Sequence, residues 1–107
     1  EEEAEDLIKL ANQGLAAIKE LDRMTGVIID YGTPEALGLK RISFLIAGIE
    51  GFTLAEKQRF LEMTSTRSRL ESGVKSLSKV VKRAKLTKEI QEIISGNGNI
   101  KKILREI

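Results

Sequence analysis

The chain has 107 residues, 41% of them apolar and 32% charged, with a net charge of +2, one Pro, and neither Cys nor His. That length holds one domain at most, with one modest core, and four aromatic side chains leave that core to Leu, Ile, Val and Ala. The missing residues exclude disulfides, the usual zinc sites, and Ser-His-Asp or Cys-His catalysis. No apolar run approaches the length of a membrane span. The first residues, Glu1-Glu2-Glu3, contain neither Met nor a signal-like segment, and the chain reads as a fragment of a longer protein.

Residues 2–24 are expected to form one helix. Leu7, Leu10/Ala11, Leu15, Ile18 and Leu21 recur at spacings near three and four, and acids crowd the first turn, where they complement the helix dipole. Gly26 suits the residue after its end. "VIID", Val27–Asp30, is read as an extended connector packing on the helices. Thr33 caps a short helix opened by Pro34. Leu39, Ile42, Leu45/Ile46 and Ile49, flanked by Phe44 and Ala47, mark the most buried helix, with Gly48 and Gly51 at its end.

Thr53-Leu54-Ala55-Glu56 is a capping box. It opens a helix running to about Met63, with Leu54, Phe60 and Leu61 available to the core. "TST", 64–66, supplies three candidate caps in a row, so one helix stops and another starts almost at once: a built corner. The second helix is long, about 65–95. Its seam, Leu70, Val74, Leu77, Val81 and Ala84, fails at Lys88 and Gln91. Apolar residues resume on another face at Leu86, Ile90, Ile93 and Ile94, which predicts a bend or a change of contacting surface near Ala84–Thr87. "SGNGN", 95–99, breaks the helix, and 96–107 is read as a linker and a short terminal helix. The expected fold is all-α: a small helical bundle with one long C-terminal helix projecting from it.

Charge is uneven along the chain. Residues 1–22 hold seven acids against Lys9 and Lys19, whereas Lys75, Lys79, Lys82, Arg83, Lys85 and Lys88 lie in a stretch without an acid. The basic face of Lys75, Lys79, Lys82 and Arg83 could meet nucleic-acid phosphates. No aromatic side chain interleaves with it, so a solvated face is the preferred reading, with pairing to the acidic first helix as a third. Ser72-x-x-Lys75 and Ser76-x-x-Lys79 match an acyl-enzyme pattern without its companion motifs. "GNGN" lacks the Gly-Lys-Ser/Thr of a phosphate loop. No catalytic, cofactor-binding or metal-ligating residue is expected.

The stretch "LAEKQRFLEMTSTRSRLE", 54–71, resembles the helical part of the N-terminal domain of Lon-family ATP-dependent proteases. The matching positions are Glu56-Lys57-Gln58, Leu61-Glu62-Met63 and Arg69-Leu70-Glu71, across a capped corner. "DYGTPEALGLKR" departs from the acidic loop usual in the family's connector. "KKILREI" after "SGNGN" departs from the run that leads into the ATPase, and favours a stand-alone Lon-domain protein.

The resemblance implies a substrate-recognition domain that captures unfolded or tagged proteins, helps ring assembly by self-association, and catalyses nothing, because the family's ATP site and Ser-Lys dyad lie in other domains. It implies the bacterial cytoplasm or an organelle, with no membrane partner. Candidate partner contacts are Phe52, Leu54, Phe60 and Met63, with Phe44 and Ile49 nearby. Phe52 is expected to be partly exposed in its Gly51–Thr53 turn. Thr53, Glu56, Arg69, Leu70, Val74 and Leu77 set the corner and the seam of the long helix. The alternatives are a nucleic-acid-binding module using 75–88 and a coiled-coil oligomerisation element on Leu70–Ala84.

Overall fold

The computed structural model describes residues 2–95. Within them the chain forms five helices and no strand: α1 (Glu2–Thr25), α2 (Pro34–Leu37), α3 (Leu39–Ala47), α4 (Leu54–Glu62) and α5 (Thr66–Ile94). The terminal helix expected within 96–107 lies outside the described residues.

The caps read from sequence form as expected. Thr33 Oγ1 accepts from the Ala36 amide at 3.2 Å, with Pro34 opening α2. At α4 the capping box closes both ways: the Glu56 amide donates to Thr53 Oγ1 at 3.1 Å, and the Thr53 amide donates to Glu56 Oε1 at 3.0 Å. The middle residue of "TST" caps α5, with Ser65 Oγ accepting from the Ser68 amide at 3.2 Å. Met63 and Ser65 are both extended, so the chain changes direction within three residues.

Contacts along α3 fix the layout. Ser43 meets Arg69, and Ile46 lies between Gly14 and Gly73. Farther along, Gly51 faces Val80, and Glu20 reaches Lys85. Helices α1, α3 and α5 therefore run in the same direction, and α4 runs back along α5 from Arg83 towards Arg69. The connector 26–33 must return the chain to the start of α3. Its eight residues, extended, span roughly 26 Å. Tyr31 fastens it by donating its phenol to Asp22 Oδ2 at 2.6 Å.

The core is aliphatic, built from Ala11, Leu15 and Ile18 of α1, Ile42, Ile46 and Ala47 of α3, and Leu70, Val74, Leu77 and Val80 of α5. Glycine makes the three-helix contact close. A Cβ on Gly14 would stand 2.3 Å from Ile46 Cδ1, and one on Gly73 would stand 2.9 Å from Ile46 Cγ2. The Ile46 side chain fills the space that those two missing side chains leave.

Four expectations need correction. Phe52 is buried at 4% exposure, because the 48–53 turn folds inward and sets its ring edge-on against Phe60, with centroids 5.1 Å apart. Phe60 is itself fully buried. Leu54 and Leu61 point outward, at 81% and 54% exposure, because a nine-residue α4 offers the core one narrow face and Phe60 occupies it. Val27–Asp30 does not pack down: Ile28 is 98% exposed. On α5, Val80 rather than Val81 is the buried residue, because the 48–53 turn packs on that side of the helix: a Cβ on Gly51 would stand 2.5 Å from Val80 Cγ1.

Candidate functional site

The corner is held by a buried cation. Arg69 is 2% exposed, one turn into α5. Its Nε donates to Ser43 Oγ at 2.9 Å, and its Nη1 donates to the Met63 carbonyl, the C-cap of α4. Ser43 Oγ in turn donates to the Lys40 carbonyl at 2.6 Å. The guanidinium lies over the Phe44 ring, 3.9 Å from its centroid, which leaves that ring 39% exposed. A planar fork with several donors suits this task, because one side chain then satisfies two elements at once. Arg69 thus ties α3, the end of α4 and the start of α5 together. Met63, beside it, is half-buried, so of the four candidate partner contacts Leu54 is exposed and Met63 partly so, while Phe52 and Phe60 belong to the core.

The outer face of α5 carries the second cluster. Lys79, Lys82 and Arg83 of α5 and Arg59 and Glu56 of α4 line a trough of ≈ 610 Å³, and the neighbouring hollow adds Lys75 and Met63. None of Lys75, Lys79, Lys82 and Arg83 makes an ion pair among the described residues. Glu56 holds its carboxyl below the usual range, chiefly because it accepts from the Thr53 amide, with Arg59 and Arg83 adding attraction. One base of the run does pair with α1: Lys85 Nζ lies 3.6 Å from Glu20 Oε1. Ser72 and Ser76 line the hollows, and no hydrogen bond joins either to the lysine three residues on.

Past Ala84, α5 keeps only the end of α1 beside it, with Lys85, Lys88, Glu89 and Glu92 sharing a hollow with Glu20, Arg23 and Met24. From Lys85 to Ser95 every residue is exposed, including Leu86 at 57%, Ile90 at 46%, Ile93 at 39% and Ile94 at 63%. The contacting surface therefore does change where the heptad pattern fails, within one continuous helix. At 3.6 residues per turn, positions 75, 79, 82, 86, 90 and 93 fall on one stripe, roughly half a turn from the core-facing 70, 74 and 77. The basic trough and the apolar row are thus successive stretches of one face.

A third hollow, ≈ 500 Å³, lies where α1, the 48–51 turn and α5 meet, with Leu21, Met24, Ile49 and Val80 among its lining. No group of three or more potential metal-ligating side chains forms among the described residues, and none of their helices is long and apolar enough to cross a membrane.

No family model, no curated protein and no solved structure matches the chain.

Proposed function

We propose that this chain is a non-catalytic polypeptide-recognition domain, similar to the helical part of Lon-family N-terminal domains, which holds unfolded or tagged proteins for an ATP-dependent protease. The observation that carries the reading is the row Leu86, Ile90, Ile93 and Ile94, four large apolar side chains exposed on the last turns of α5. A row of large apolar side chains left in water on one helix is suited to a partner. Ile28, almost wholly exposed in the connector, adds a second apolar contact. The corner supports the same reading, because Arg69 and the α4 and α5 caps fix the direction in which the row is presented.

The test is a titration of the chain with a reduced, alkylated, permanently unfolded protein, followed by fluorescence anisotropy. Weak binding with modest salt sensitivity is the expected result, and absence of binding rejects the reading.

The basic trough favours a second reading, nucleic-acid binding by Lys75–Lys88. It predicts affinity for DNA or RNA that collapses with salt. Oligomerisation through Leu70–Ala84 has no such support, since Leu70, Val74 and Leu77 are already buried within the chain.

A further inference from the structure

We propose that the outer face of α5 selects its polypeptide: it binds a helical segment whose acidic residues are grouped at one end and whose apolar residues are grouped at the other. This inference rests on the recognition function proposed above and names its substrate class.

The face is divided along its length. Lys75, Lys79, Lys82 and Arg83 occupy its first half, beside Arg59 across the trough. Leu86, Ile90 and Ile93 occupy the second half of the same stripe. Glu56 is the acid lining the trough, and its charge is already engaged by the Thr53 amide and by Arg59 and Arg83. An acidic stretch laid in the trough therefore meets cations that make no ion pair among the described residues. The ledge that follows offers such a stretch nothing, but it would bury three or four aliphatic side chains of the partner.

A phosphate backbone fits half of this surface only. It gains from the bases but leaves Leu86, Ile90 and Ile93 exposed, and the trough lining contains no aromatic ring on which a base could stack. A uniformly apolar unfolded segment fits the other half only. The two halves together span positions 75–93, roughly 27 Å of helix, so a partner helix of about 18 residues covers both.

Two synthetic peptides of about 18 residues and identical composition test this against the full chain. One carries four Glu at one end of a helical face and three Leu at the other, and the second interleaves them. The expected result is that the grouped peptide binds at least tenfold more tightly. Lys79→Glu with Arg83→Glu, and separately Ile90→Ser with Ile93→Ser, should each weaken it about tenfold while thermal melts stay unchanged. Equal affinity for the two peptides overturns the proposal. So does tighter binding of a 20-nucleotide single strand that the charge reversal abolishes and the isoleucine changes leave alone, which would make the face a nucleic-acid surface. Concentration-dependent dimerisation lost on Ile90→Ser would assign the ledge to a second copy and overturn it too. If unfolded protein binds the chain but no variant of this face affects it, the recognition function stands and this site falls. If unfolded protein does not bind at all, both fall.

Discussion

Arg69 and Ser43, 26 residues apart in sequence, are joined by a buried hydrogen bond of 2.9 Å from Nε to Oγ. Through it the first turn of α5 is fixed to the middle of α3, and the second donor of the same guanidinium fixes the end of α4. Arg69→Ala should cost about 2–4 kcal/mol, because it deletes two hydrogen bonds to a charged group and opens a cavity. Arg69→Met should cost less, since it refills the volume and removes a charge that is expensive to bury. Denaturant melts measure both; equal losses would mean that the hydrogen bonds, rather than the packing, set the whole effect.

Gly14 and Ile46 should behave as a coupled pair. Gly14→Ala drives a methyl into Ile46 Cδ1, and the buried Ile46 is hemmed in on its other side by Gly73. Overpacking of this kind costs about 1–3 kcal/mol, against a gain of up to about 1 kcal/mol in helix propensity. Ile46→Val removes that Cδ1. The double variant should therefore lose less than the sum of the two single losses. Strict additivity would place the helices farther apart than described.

Tyr31 is the only tyrosine, so its absorbance titrates one group. Its donation to the Asp22 carboxylate, with some burial and the repulsion of that charge, pushes it up to about 12 from the usual 10. The folded state thus favours the neutral phenol. The stability this gives is full below pH 10 and is lost as pH rises through 12. A phenolate titrating near 12 in the native chain and near 10 in denaturant is the expected pair of values. Tyr31→Phe should remove this alkaline loss.

The corner should be more sensitive than its surface position implies. Leu70 is wholly buried behind it, and Leu70→Ala should cost roughly 2–4 kcal/mol. Thr53→Ala removes the acceptor at the start of α4 and should cost about 1 kcal/mol. A neutral Leu70→Ala in a denaturant melt would mean that the seam faces solvent.

Much of this fold is legible in the residues, because caps and periodicity are local. Thr33-Pro34, Thr53 with Glu56, and Ser65 each mark a helix start, and Leu70, Val74 and Leu77 mark the inner face of α5. Contacts between helices are less legible. Nothing in the spacing of Gly14 and Gly73 shows that Ile46 lies between them. Phe52 reads as a turn residue, and only the inward fold of that turn buries it. Arg69 lies in register with Gly73 and Val80, at the edge of the core face, which is the one local sign that its charge is buried. The change of face after Ala84 is visible in the spacing of Leu86, Ile90, Ile93 and Ile94, but their exposure depends on where α1 and the 48–51 turn stop.

Amide chemical-shift mapping of the full chain, titrated with a reduced, alkylated, unfolded protein, addresses the recognition surface most directly. The expected shifts fall on Leu86–Ile94, extend into Lys75–Arg83, and spare Ala11–Ile18 and Phe52. Shifts confined to other surfaces, or none at saturating unfolded protein, would contradict the assignment of recognition to the outer face of α5.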